Sequence, residues 1–220
     1  MVTSHGPYMT SAHLRGTENL LLDMAVNPDF VAALVDRVTD FLDALLRNYL
    51  DACGEYIDLI ELPGDDYASN ENLMMSPSMF RRLIKPALKR LVATIKEKRS
   101  SIQVMLHSDG MIEPLLPDFM ELGIDVLHPL EPIKALDQAR IKKEYGERLA
   151  FIGGIDIAKA LPGTEEDVVR EVRRCIGQLG PGGGYILAPS NHIQSDVSPR
   201  NVQVLFDSAR EYGQYPIQKV

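Results

Sequence analysis

The sequence predicts an α/β fold of the TIM-type (β/α) barrel class, and two observations carry that prediction. The first is a repeated pattern in which a short apolar run with strand character stops at polar side chains. Ile102-Gln-Val-Met-Leu-His107 runs into Ser108 and Asp109, and Tyr56-Ile-Asp-Leu-Ile-Glu61 into Asp65 and Asp66. Ile124-Asp-Val-Leu127 ends at His128, Leu149-Ala-Phe-Ile-Gly-Gly-Ile155 at Asp156, and Tyr185-Ile-Leu-Ala-Pro189 at Asn191 and His192. Counting His5 after Val2-Thr-Ser, four of the five histidines follow a predicted strand. Barrel enzymes deliver their polar groups in this way, at the C-terminal ends of several strands. The second observation is that these runs show little in-out alternation and are separated by amphipathic helices, the mark of a parallel sheet covered by helices. A doubly wound dinucleotide fold is the competing architecture. It calls for G-x-G-x-x-G after a strand, and no such motif is present; Gly182-Gly183-Gly184 precedes a strand and reads as a tight αβ loop.

The helices are marked at both ends. Asn27-Pro28, Ser76-Pro77 and Ser198-Pro199 each place a capping residue before a proline at the first helical position, and Thr164 with Asp167 forms a box-like start. Gly54, Gly123, Gly180 and Gly213 mark the stops. The helix predicted over about 28–53 carries the stripe Val31, Leu34, Val38, Phe41, Leu42, Leu45, Tyr49. Candidate strands fall at about 2–5, 56–61, 102–107, 124–128, 150–154 and 185–188, six against the eight of a closed barrel of about 250 residues. The expectation is one domain, 1–220, forming an incomplete barrel.

Composition narrows the function. The chain has 220 residues, 45% hydrophobic and 25% charged, an ordinary globular balance. Its net charge of −8 and scattered cations, with no arginine-rich arm, argue against nucleic acid as a partner. Cys53 and Cys175 lie far apart without CxxC spacing and read as buried free thiols. No apolar run reaches the roughly 20 residues that span a bilayer, and the N-terminus carries no signal pattern, so a cytoplasmic protein that does not insert in membranes is expected.

Longer motifs add a resemblance. His107-Ser-Asp-Gly, then Glu121-Leu-Gly-Ile-Asp-Val-Leu-His-Pro129, Phe151-Ile-Gly-Gly-Ile-Asp156 and Pro181-Gly-Gly-Gly-Tyr-Ile-Leu-Ala-Pro189 resemble the C-terminal half of the uroporphyrinogen decarboxylase superfamily. Gly54-Glu-Tyr-Ile-Asp-Leu-Ile-Glu-Leu-Pro-Gly-Asp-Asp66, Ser76-Pro-Ser-Met-Phe80, and Gly6-Pro7 with Leu14-Arg-Gly-Thr-Glu-Asn19 resemble its central segments, so the likeness covers nearly the whole chain. It implies a (β/α)8 barrel, and either cofactor-independent decarboxylation of uroporphyrinogen or zinc-dependent methyl transfer with corrinoid proteins and coenzyme M. This sequence departs from both branches. Where the methyltransferases have His-x-Cys and a later Cys as zinc ligands, it has His107 with Asp109, and Ser190-Asn191-His192. Where the decarboxylases have a tyrosine after Gly-Pro and a late-loop histidine, it has His13 and Asn191. The decarboxylase aspartate of the family lies upstream of the matched segments. The likeness therefore puts the missing strands at the N-terminus and implies a truncated member that pairs into dimers through the gap or is poorly stable, and that lacks uroporphyrinogen decarboxylase activity alone.

Each candidate residue has a plainer alternative. His107 and Asp109, at i and i+2 after a strand, point to one side and suit a metal, or else bond loop backbone. Glu61 either joins His107, Asp109 and His192 as a ligand or accepts from a neighbouring N–H. Asp65 and Asp66 move protons, with one pKa raised by the other, or cap the turn of Pro63-Gly64. His128 and Asn191 complete the catalytic set. Gly153 and Gly154 leave room for a cofactor beside Asp156, which otherwise caps a helix near Ile157. Met74, Met75, Met79, Met105, Met111 and Met120 read as core filler. Glu61, His107, His128, Asp156 and Asn191 are expected on one face. The leading expectation is a metal-assisted methyl or group transfer on a small molecule or corrinoid-linked substrate, with zinc, iron or manganese at His107 and Asp109. The alternatives are a tetrapyrrole decarboxylase needing no cofactor, and a binding module without chemistry.

Overall fold

The computed structural model describes residues 5–217, and the chain divides into two compact units, Met1–Val126 and Leu127–Val220. The first opens with three helices, α1 (Pro7–Arg15), α2 (Thr17–Val26) and α3 (Pro28–Cys53). Pro7 and Pro28 sit in the first turn, where a missing N–H costs nothing. Asn27, expected to cap α3, makes no side-chain cap bond; the start rests on Pro28 and on Asp29 near the positive end of the helix.

The buried face of α3 is rotated from the expected one. Val31, Val35, Val38, Leu42, Leu46 and Leu50 are buried, whereas Phe41 is 62% exposed. The rotation takes Thr39 and Asp43 inside, where Asp43 accepts from the Thr94 hydroxyl at 2.5 Å and from Arg47 Nε at 3.0 Å. Thr94 belongs to α5 (Lys85–Lys98), whose Leu88, Leu91, Val92 and Ile95 are buried. Each such side chain contributes about 1.5–3 kcal/mol by leaving water.

Between α3 and α5 come β1 (Leu59–Glu61) and α4 (Pro77–Leu83); β2 (Gln103–His107) and α6 (Leu116–Leu122) follow. The Ser76 hydroxyl caps α4 by accepting from Met79 N–H, and Gly123, at φ +85°, ends α6 in the left-handed region. Strands β1 and β2 pair in parallel with Glu61 opposite Met105. A third strand, β3 (Val126–His128), begins at the last residue of this unit.

The second unit contains α7 (Gln138–Tyr145), β4 (Ala150–Ile155), α8 (Glu165–Leu179), β5 (Tyr185–Pro189) and α9 (Pro199–Tyr212). Strands β4 and β5 are parallel, with Phe151 opposite Tyr185 and Ile155 opposite Pro189. Val168, Val172, Cys175, Ile176 and Leu179 form the buried stripe of α8, and the first four pack with Ile155, Leu161, Val204 and Leu205. Thr164 and Asp167 form the expected capping box, and Ser198 caps α9. The glycines at 182, 183 and 184 all have positive φ, as a tight αβ loop requires. The described residues carry five strands; the first candidate, at 2–5, lies outside them except for His5. In both units helices connect the strands, and the paired strands are parallel, so the chain is α/β and built of βαβ steps. No helix of the described residues is long and apolar enough to cross a membrane.

Candidate functional site

The first unit assembles its polar residues where β1 and β2 end. Past Glu61 the chain keeps pairing with β2: Leu62 N–H donates to Met105 O at 2.8 Å and Asp65 N–H to His107 O at 3.1 Å. This extended pairing carries Asp65 and Asp66 alongside His107. Gly64 makes the approach possible, since a Cβ there would stand 2.9 Å from Cδ2 of the His107 ring.

Asp66, His107 and Asp109 form one cluster, half-buried, with a ligand atom from each lying within 4.8 Å of the others. Nε2 of His107 is 3.8 Å from Asp66 Oδ1 and 3.8 Å from Asp109 Oδ1. The Asp109 N–H donates to Asp66 Oδ1 at 2.9 Å and so orients that carboxylate. Glu61, half-buried at the end of β1, stands outside this cluster.

Asp65 has a different setting. It is fully buried and accepts from Met9 N–H at 2.7 Å, Tyr8 N–H at 3.0 Å and the Tyr67 hydroxyl at 3.0 Å. The first two donors are unpaired N–H groups at the N-terminus of α1, where a carboxylate is favoured. Burial pushes Asp65 up to about 7; the N–H groups of Met9 and Tyr8 and the Tyr67 hydroxyl hold it down, and the charge of Asp66 raises it. Around it, Tyr67 packs on Tyr8, Phe80 and Phe119 with ring centroids 6.0, 5.1 and 6.1 Å away. Sequence reading missed Tyr8 and Tyr67. The signals were a tyrosine two residues beyond Asp65 and another directly behind Gly6-Pro7.

His128, Asp156, Asn191 and His192 belong to the second unit. Ile155 and Pro189 are register partners, so Asp156 and Asn191 follow the same ends of β4 and β5, as Glu61 and His107 end β1 and β2. Oδ1 of Asp156 accepts from Ala158 N–H at 2.8 Å and Lys159 N–H at 3.0 Å, a turn cap. Asn191 Oδ1 accepts from His192 N–H at 2.7 Å and lies 2.8 Å from its Nδ1. Gly153 and Gly154 have φ of +108° and +89°. Protein atoms already lie where their side chains would be: Pro129 Cβ at 3.0 Å and His128 Cδ2 at 3.6 Å for Gly153, Leu179 Cδ1 at 3.0 Å for Gly154.

The carbonyls of those glycines are held from behind by a network that sequence reading also missed. Tyr185 donates its hydroxyl to Gly153 O at 2.8 Å; Arg174 Nη2, the Cys175 thiol and Gln138 Nε2 reach Gly154 O at 3.2, 3.1 and 3.3 Å. Glu171 pairs with Arg174 at 2.7 Å and accepts from Asp156 N–H at 2.9 Å. Cys175 is buried and free, its thiol pushed up to about 12 by burial, while Cys53 is only half-buried.

Comparisons with known proteins agree with this architecture. The uroporphyrinogen decarboxylase (URO-D) family model matches residues 1–212. A methylated-thiol–coenzyme M methyltransferase of Methanosarcina mazei is 27% identical over 176 residues, 78% of this chain and 43% of that protein. A uroporphyrinogen decarboxylase of Neisseria meningitidis is 23% identical over 192 residues, 86% of this chain and 50% of that protein. The chain thus spans about half the length of these curated relatives. A solved methyltransferase structure from Methanosarcina mazei superposes with a TM-score of 0.73 at 22% identity, covering 96% of this chain and 58% of its own, and shares the fold. With both kinds of relative matching and the family model covering almost its full length, the chain belongs to the uroporphyrinogen decarboxylase (URO-D) family.

Proposed function

We propose that this chain carries the metal-binding part of a group-transfer enzyme of methyltransferase type, acting on a small methylated substrate or a corrinoid-linked one. The observation behind this reading is the cluster of Asp66, His107 and Asp109. One imidazole and two carboxylates suit zinc, iron or manganese, and make a harder site than one with thiolates. Donors bound to such an ion at about 2.0–2.2 Å lie roughly 3–3.6 Å apart, close to the observed 3.8 Å contacts. A divalent ion there supplies Lewis acidity toward a substrate sulfur or oxygen.

The chain's own residues set the rest. Gly64 and the Asp65 N–H fix the backbone and ring of His107, and Asp109 N–H aims Asp66. Asp66, about one-third exposed, serves either as the second carboxylate ligand or, with the ion held by His107 and Asp109, as the group that moves a proton at the substrate. Glu61, Asp65, His128, Asn191 and His192 stay in the proposal as further ligands or proton carriers, and Gly153, Gly154 and Asp156 as cofactor contacts, each to be tested by single substitution. A second reading, tetrapyrrole decarboxylation without a cofactor, is favoured by Asp65, whose value of about 7 suits proton chemistry near neutrality.

Metal content separates the two. Protein purified without a histidine tag is expected to bind one zinc, iron or manganese per chain, and His107→Ala to lose it while unfolding stability changes by less than about 1 kcal/mol. Wild-type protein that takes up no divalent ion would overturn the methyl-transfer reading, and turnover of uroporphyrinogen by that metal-free protein would establish the second.

A further inference from the structure

Five of the chain's nine methionines, Met24, Met74, Met75, Met79 and Met111, line one cavity of about 580 Å³ in the first unit. They come from four places in the chain: Met24 from α2, Met74 and Met75 from the segment after β1, Met79 from α4 and Met111 from the turn after β2. Of the six expected as core filler only Met75 is buried, whereas Met74, Met79 and Met111 keep part of their surface open. The volume falls within the roughly 300–1,000 Å³ of small-molecule sites. Among the described residues of the lining no side chain is ionised; Asn72 and Ser76 are its polar members.

That chemistry selects an occupant. Thioethers on unbranched, flexible stems mould to varied apolar shapes and make favourable contacts with aromatic rings. A charged group resting here meets no counter-ion in the lining, whereas an apolar group covers exposed thioether surface. The cavity also adjoins the proposed metal cluster: Met111 follows Asp109 by two residues, a span of at most about 7 Å. Tyr8 links this lining to Asp65, the chain neighbour of the cluster's Asp66, donating its hydroxyl to Met74 Sδ at 3.9 Å and its N–H to Asp65 at 3.0 Å.

We propose that this methionine-lined depression binds an uncharged aromatic ring of the substrate in preference to ionised groups. The assignment rests on the methyl-transfer reading for its link to chemistry, and its binding test stands apart from the metal. A polycarboxylate such as uroporphyrinogen fits this lining poorly.

The test uses the full chain labelled with 13C at its methionine methyls and titrated with methyl phenyl sulfide. Saturable shifts are expected at Met24, Met74, Met75, Met79 and Met111, with Met9, Met105 and Met120 unmoved and benzoate at least tenfold weaker. Met111→Lys, at a half-buried position, should weaken binding at least tenfold without changing metal content, and Met79→Lys repeats the test should the first variant fail to fold. His107→Ala should lose metal and keep the methyl phenyl sulfide shifts. No saturable shift, shifts spread over all the methionines, or equal affinity for benzoate would overturn the assignment. Saturable shifts in a wild-type protein that binds no metal would remove the methyl-transfer reading and leave the cavity standing.

Discussion

Two of the buried carboxylates, one in each unit, have surroundings that differ in one respect. Asp65 in the first unit is met by two N–H groups and a tyrosine hydroxyl but by no cation, and burial pushes it up to about 7. Burial pushes Glu171 in the second unit up as well, yet the guanidinium of Arg174 and the Asp156 N–H hold it below the usual carboxylate range. Dipoles alone leave a buried acid responsive near neutrality, whereas a paired cation removes it from titration. The responsive acid stands beside the metal-type cluster; the locked one braces the glycines of β4.

The largest test of that contrast is Arg174→Ala. It strands Glu171 and removes a donor to Gly154 O, and the expected loss is about 3–5 kcal/mol in chemical denaturation. Glu171→Gln in the same background should recover part of it. A loss below about 1 kcal/mol would mean that the pair does not brace β4.

Next comes the pH dependence of Asp65. Because its folded-state value lies above its unfolded one, the folded state holds the proton more tightly, and stability falls as pH rises from about 4 toward 7. Each unit of that difference is worth about 1.4 kcal/mol. Asp65→Asn lacks the titration, so the variant starts less stable than the wild type at pH 4 and the gap narrows by pH 7. Parallel curves would show that Asp65 does not titrate there.

Tyr67→Phe gives the smallest effect. It removes one donor to Asp65 and should cost about 1 kcal/mol, while moving the pH-dependent fall upward, because the lost hydroxyl was lowering the acid's pKa. An unchanged midpoint would assign the hydroxyl no electrostatic part.

The strand ends were legible in the sequence because the runs stay apolar at buried and half-buried positions alike, as at Val104, Met105 and Leu106, and the residue that stops the run is conspicuous, as at His107. Helix starts at Ser76, Thr164 and Ser198 were legible because their caps act within three residues. The face of α3 was not, since its centre is made of Thr39 and Asp43, buried through partners on its own turn and on α5. Asp66 could be named as a candidate, yet its place beside His107 depends on a register that continues past β1, and no local pattern encodes that. Arg174 was hidden for a similar reason: its partners Gln138 and Gly154 come from other elements.

Gly64 has one further consequence. The His107 ring lies so close to the bare backbone of Gly64 that no side chain stands between them. That close approach narrows the tilts open to the ring on this side, and a ring held near one tilt costs less to organise when a ligand engages the imidazole. Gly64→Ala would act as a wedge that tilts the ring while every donor atom remains, separating the worth of alignment from the worth of the ligands themselves.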